Sequence, residues 1–338
     1  MKACEAAYAK NLLRLIRAGV NGRADYLSLE AVTAALITQN GNSPKPLSET
    51  ELEAVINITT DYADTEHEFE ATQIGMADRF ATLCSRWFCF HRAEATWYFW
   101  AGYRWVTDQN ATQARAAMIM VAQLFFRSKI NASAAVIAIV RRLQNSSNIK
   151  GALEIAAASP ELISEADTFD DEYKDYLNCT NGLLCLNTGE IEPHSPKQRI
   201  TQCTHMAWDA EADLSSINEL LMQFVDGDVE MFEFLKRSLG YSLSAGQGEE
   251  KFFVLLGPGA TGKSTLLAGI AAILGDYARP FQMDSLMKKS SVGGAKPELL
   301  ALERLRVALS SEADESQQFN EALIKVLTTE DPVVARGL

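Results

Sequence analysis

Residues Gly257-Pro258-Gly259-Ala260-Thr261-Gly262-Lys263-Ser264 spell G-x-x-x-x-G-K-[ST], with Thr265 directly after them. Each residue type has a chemical use at its position. Glycines let successive backbone N–H groups turn inward around an anion, and a helix starting at the loop adds positive potential there. Lys263 is placed to reach the β- and γ-phosphates of a nucleoside triphosphate, and the Ser264 hydroxyl to ligate Mg²⁺. Such chemistry also needs a carboxylate. Glu312 closes the run Leu305-Arg306-Val307-Ala308-Leu309-Ser310-Ser311 and is the expected acid for holding Mg²⁺ or polarising an attacking water, with Asp314 as the fallback.

A loop of this kind works between a strand and a helix. Lys251-Phe252-Phe253-Val254-Leu255-Leu256 is a short apolar run expected to form a buried parallel strand. Leu266 to Leu274, rich in Leu, Ile and Ala, predicts a helix that stops at Gly275. The stretch ending at Glu312 predicts a second parallel strand delivering its acid beside the loop. The fold class is therefore α/β in this region.

The 338 residues are enough for two or three domains, and 47% hydrophobic with 22% charged residues describes a globular chain. No apolar run approaches the length of a membrane span, and no signal-peptide core follows Met1. Six cysteines without a disulfide-like framework fit a reducing cytoplasm. Cys179, Cys185, Cys203 and His205, or Cys84, Cys89 and His91, could supply metal ligands. Neither group has the paired C-x-x-C spacing of structural zinc sites, so packing is the preferred explanation. A net charge of −13 argues against a whole-surface nucleic-acid coat, though not against a local basic channel.

Three parts follow along the chain. Residues 1–64 form a helical segment, with helices around Glu5–Ala18 and Ser28–Thr38, a turn-rich break at Asn42–Ser48, and a capping-box pattern in Ser48 and Glu51. Asp61–Glu70 is acidic and polar and is expected to be a linker. Residues 71–215 form a mixed α+β domain. In it Trp97-Tyr98-Phe99-Trp100 and Tyr103-Arg104-Trp105 flank Ala101-Gly102 as a β-hairpin. A stacking platform for single-stranded bases is one use of those aromatics; hairpin core is the preferred one. Ala111–Leu143 predicts two helices, and Asn178–Glu192 a second hairpin turning at Asn181-Gly182 and Asn187-Thr188-Gly189. Residues 216–338 carry helices over Asn218–Leu243, then the glycine loop.

In this order the motifs resemble the C-terminal portion of phage and plasmid primase–helicases, whose motor is a superfamily 3 helicase of the AAA+ class. Glu312 stands where that family has its Walker B acid, and Arg306 on the arginine that commonly opens the strand. Ile324-Lys325-Val326-Leu327-Thr328-Thr329-Glu330-Asp331 through Arg336 resembles the family's next motif, which leads to elements facing the DNA channel; Thr329 replaces its usual glycine. Phe169-Asp170, Leu177-Asn178, Asn181-Gly182, Leu186 and Thr188-Gly189-Glu190 follow the pattern of the domain before the motor, with Cys185 in place of an aspartate. Trp97, Gly102 and Trp105 fit its aromatic hairpin. The residues from Asn40 through Glu51 loosely resemble the helical segment trailing the primase domain.

The resemblance implies ATP and Mg²⁺ as cofactors, with Gly257 to Thr265 cradling the nucleotide and Lys263 and Glu312 as the catalytic pair. It implies single-stranded or forked DNA as a partner, met by Lys325 and Arg336, together with a primase domain. Assembly would be a hexameric ring, and the setting a bacterial host cytoplasm during replication of a phage, prophage or plasmid. The chain ends at Leu338, before the family's γ-phosphate-sensing strand and intersubunit arginine, and an incomplete motor sheet is expected. Two other functions are weighed. A phosphate-loop kinase predicts an arginine-rich lid that the sequence after Leu274 lacks. A non-catalytic nucleotide-binding or assembly module fits the missing elements.

Overall fold

The computed structural model describes residues 10–16, 18, 29–65, 70–164, 169–170, 173–245, 248–259, 261–288, 299, 302, 304–310 and 318–329. They divide into two compact units: one of Met1–Phe169 with Ser195–Thr201, the other of Asp170–His194 with Gln202–Leu338.

The first unit opens with helix α1 (residues 10–16), α2 (Leu29–Gly41) and α3 (Glu49–Thr65). Asn40 fastens the break between α2 and α3. Its amide donates to the Leu47 carbonyl at 2.8 Å, and its side-chain oxygen accepts from the Leu47 N–H at 2.7 Å. The capping box forms in part. Glu51 accepts from the Ser48 N–H at 2.9 Å, while the Ser48 hydroxyl also donates to Glu51, at 2.8 Å. The other Glu51 oxygen accepts from the buried indole N–H of Trp100 at 2.5 Å. One carboxylate therefore caps the start of α3 and ties it to the aromatic sheet. Contrary to expectation, residues 61–65 continue α3; the linker reading fails there because helical N–H and C=O pairing carries polar residues as readily as apolar ones. Residues 66–69 lie outside the described residues.

Next come α4 (Gln73–Cys84), β1 (Phe88–His91), β2 (Thr96–Trp100), β3 (Trp105–Thr107), α5 (Thr112–Ser128), α6 (Ala134–Leu143), α7 (Ser146–Ala156) and β4 (Ile163–Ser164). The sheet order is β3-β2-β1-β4, antiparallel except for the β1–β4 pair. The expected hairpin is β2–β3, and its turn requires Gly102 at φ 91°, a left-handed conformation that costs a residue with a Cβ. Trp97, Tyr98, Phe99, Trp100 and Trp105 are all at most 6% exposed, packed among Phe80, Phe88 and Phe169. They are core, and no face of them is free for bases. Residues 195–201 close this core: the Ile200 carbonyl accepts from the Trp105 N–H at 2.8 Å, and the Pro196 carbonyl from its indole N–H at 2.9 Å.

The second unit contains a three-stranded antiparallel meander, β5 (Tyr176–Cys179), β6 (Gly182–Cys185) and β7 (Ile191–Glu192). It also contains α8 (Ser215–Phe224), α9 (Val229–Tyr241), α10 (Lys263–Leu274), the parallel pair β8 (Ala278–Pro280) and β9 (Val307–Leu309), and α11 (Glu321–Thr328). A Cβ on Gly182 would come within 2.7 Å of the Glu192 carbonyl, so only glycine lets β7 close on β6. A small core joins the meander to the end of α10: Leu177, Cys179 and Leu184 meet Leu274, Tyr277 and Ala278.

The expected strand over Lys251–Leu256 is not formed. Its residues belong to no sheet, and Phe252 to Leu256 are 39–89% exposed. An apolar run becomes a strand only where a neighbour takes up its N–H and C=O groups. β9 instead pairs with Ala278–Pro280, a short strand whose Arg279 and Pro280 conceal it from hydrophobic-run analysis. Among the described residues the parallel sheet of this unit has these two strands.

Candidate functional site

The glycine loop is closed by its own lysine. The Lys263 ammonium donates to the carbonyls of Gly257 (2.8 Å) and Pro258 (2.7 Å) and to the Thr261 hydroxyl oxygen (3.1 Å), while that hydroxyl donates to the Pro258 carbonyl at 3.0 Å. Gly262 then caps α10 in the left-handed region, at φ 85° and ψ 2°. The Phe224 ring at the end of α8 lies so close that a Cβ on Gly262 would meet it at 2.3 Å. Lys263, Ser264 and Thr265 occupy the first turn of α10, where N–H groups lack helical partners. Ser264 and Thr265 are exposed, and a Cβ added at Gly259 would meet nothing within 4 Å. An open backbone, a cation and a helix N-terminus converge at one place, which is the donor set an oligophosphate requires.

Of the residues expected to act there, Gly257, Pro258, Thr261, Gly262 and Lys263 are brought together, with Ser264 and Thr265 beside them. Ala260, Glu312, its fallback Asp314 and Arg336 lie outside the described residues. Lys325 is exposed in the last turn of α11, a helix whose N-cap Asn320 accepts from the Leu323 N–H at 3.2 Å. Among the described residues no group of three or more His, Cys, Asp or Glu side chains is placed to hold a metal ion.

Arg306 has a structural role. Its guanidinium donates to the carbonyls of Leu243 and Tyr176, and to that of Tyr173 at 3.4 Å, and lies 4.5 Å over the Tyr277 ring. Its backbone N–H donates to the Tyr277 carbonyl at 2.9 Å. Burial pulls the guanidinium below its usual pKa range, and the neighbouring Tyr277 and Asp170 work against that shift. Burial raises the Tyr277 phenol, whose oxygen accepts from the Asn178 N–H at 3.1 Å. Arg306 and Tyr277 thereby bind the meander to the β8–β9 pair that follows α10. Sequence reasoning missed Phe224 and Tyr277: a single aromatic at a helix end carries no signal of what it will touch.

A family model described as D5 N terminal like matches residues 77–226, which reach from α4 to just past the end of α8. Across 277 residues the chain is 25% identical to a protein of Acanthamoeba polyphaga mimivirus named "Putative helicase L207/L206". The match takes in 74% of this chain and 28% of that protein, so the chain corresponds to little more than a quarter of that relative's length. The two findings support a phage or viral primase–helicase family for this chain. No described helix is long and apolar enough to cross a membrane.

Proposed function

We propose that the chain is the nucleotide-binding part of an ATP-dependent DNA helicase of the primase–helicase type. The observation that carries this reading is the convergence of Lys263, the loop backbone and the α10 N-terminus, in a chain whose relative is named a helicase. Backbone N–H groups from Gly259 to Lys263 would hold the β- and γ-phosphates, with the Lys263 ammonium leaving its three loop oxygens to stabilise their charge. Ser264 and Glu312 are the residues to hold Mg²⁺, which supplies further charge neutralisation on the phosphates. Glu312 would also orient the attacking water. Lys325 and Arg336 would meet DNA in a ring of subunits. We place the domain boundaries of this protein at 1–64, 71–215 and 216–338, with the motor in the last.

The test is ATP turnover by the purified chain with and without single-stranded DNA, in parallel with Lys263→Ala. DNA-stimulated turnover that disappears in Lys263→Ala is the expected result. Turnover that survives the substitution would refute the assignment. The exposed run Phe252–Leu256, outside any sheet, favours a second reading, a non-catalytic nucleotide-binding or assembly module. Nucleotide binding that depends on Lys263 but yields no turnover supports that reading.

A further inference from the structure

In a chain of net charge −13, residues 109–153 contain no Asp or Glu at all, yet carry Arg115, Arg127, Lys129, Arg141, Arg142 and Lys150. This stretch covers α5, α6 and α7 up to Leu153, all of them described. None of the three helices has an acidic residue in its first turn, the position where a carboxylate best complements the helix dipole. Cations in a last turn also complement that dipole, which accounts for Arg127, Arg141 and Arg142 taken singly. It does not account for Arg115 and Lys150 near the starts of α5 and α7; the acids at these helix ends are Asp108, which accepts from the Gln113 and Ala114 N–H groups, and Glu154 in the last turn of α7.

The fold gathers these charges. The Arg141 guanidinium lies 5.7 Å from the Phe126 ring, which brings the last turn of α6 to the last turn of α5, where Arg127 stands. Asn148 of α7 donates to the Arg142 carbonyl at 2.7 Å and draws the start of α7 to the same end of α6. Arg127, Arg141, Arg142 and Lys150 are all solvent-exposed. The first acid after the stretch, Glu154, sits 3.7 Å from Lys150, with both side chains open to solvent. Arg115 is the cation set apart, since it lies near Asp108, whose carboxyl is raised by burial while backbone hydrogen bonds and the Arg115 charge work against that shift.

We propose that the C-terminal ends of α5 and α6 with the start of α7 form a docking surface for the phosphate backbone of nucleic acid. Several exposed cations, two of them side-by-side arginines, with Glu154 beside Lys150 as the one acid of these three helices, are the electrostatic footprint such a partner needs. The assignment is independent of the nucleotide loop: it concerns the first unit alone, and neither Lys263 nor Lys325 takes part. Contacts to phosphate carry no base code, so binding here is insensitive to sequence.

The test uses the whole chain and a fluorescent 20-nucleotide single strand, with anisotropy titrations at several salt concentrations. Removing three phosphate contacts in the triple variant Arg127→Gln, Arg141→Gln, Arg142→Gln should flatten the log–log salt dependence by about 2. Between 50 and 200 mM salt the wild type should then lose about 20-fold more affinity than the variant, by the same counterion-release slope. The corresponding triple Arg→Lys variant keeps the charge and should retain the wild-type slope. It guards against a loss of fold, as does circular dichroism of the Gln variant. A Gln variant that binds with unchanged affinity and slope overturns the proposal. So does polyglutamate competing as well as the oligonucleotide, which would assign the surface to an acidic polypeptide. Lys263→Ala should leave this binding intact, so failure of the nucleotide reading and failure of this one are told apart.

Discussion

Replacing Arg306 with alanine should loosen the meander of the second unit. The side chain gives charged hydrogen bonds to the carbonyls of Leu243, Tyr176 and Tyr173 and covers one face of Tyr277. Hydrogen bonds from a charged donor are worth about 1.5–3 kcal/mol each in mutational series, and they are not additive when they share one group. Deleting one partner from a largely buried charged network costs about 3–5 kcal/mol in total. Against a typical unfolding free energy of about 5–15 kcal/mol, that is a large share of the stability. For a unit of this size the melting temperature should fall by about 10 °C. Hydrogen exchange gives the sharper assay. Amides of β5 and β6, such as those of Leu177 and Leu184, should lose protection, because the carbonyl of Tyr176 in β5 is among those released. Arg306→Lys should recover part of the loss, since one ammonium cannot serve all three carbonyls with the reach of a planar fork. If Arg306→Ala leaves β5 and β6 protected and moves the melting temperature by less than about 2 °C, the anchoring role is wrong.

Three further outcomes are expected. Glu51→Ala strands the indole N–H of Trp100 and the N–H of Ser48, and should cost about 3 kcal/mol, read as a lower urea midpoint with an unchanged m-value. Gly262→Ala puts a Cβ 2.3 Å from Phe224 at a φ of 85°, so it should weaken nucleotide binding by at least tenfold in a calorimetric titration. Phe224→Ala made together with it should restore part of the affinity. Among the described cysteines, alkylation with iodoacetamide at pH 8 should label Cys185 first. Hydrogen bonding from Thr188 lowers its thiol pKa, whereas burial raises Cys84 and pushes Cys89 up to about 12. As pH rises the Cys185 rate should level off at a lower pH than that of an ordinary thiol, while Cys84 and Cys89 stay unlabelled until the unit unfolds; mass spectrometry of the labelled peptides reads both.

Local chemistry alone settles a good part of this protein. The G-x-x-x-x-G-K-[ST] spacing determines a loop whose glycines can turn and whose lysine can fold back, and the structure closes that loop on Lys263. Gly102 marks the aromatic hairpin, Ser48 and Glu51 mark the start of α3, and Gly275 stops α10, because each signal acts within a few residues of itself. What the sequence could not determine depends on distant partners. Phe252 to Leu256 have every local property of a strand, but a strand exists only where a neighbour takes up its backbone groups, and β9 is paired with Ala278–Pro280. Arg306 opens β9 as the resemblance implies, but its three acceptors come from residues 63 to 133 positions away. The meander at 176–192 groups with the glycine-loop unit, while residues 195–201 return to the aromatic core. That interleaving rests on side chains reaching backbone groups far along the chain, Tyr277 to the Asn178 N–H and Trp105 to the Pro196 carbonyl, and only the tertiary structure brings such residues together.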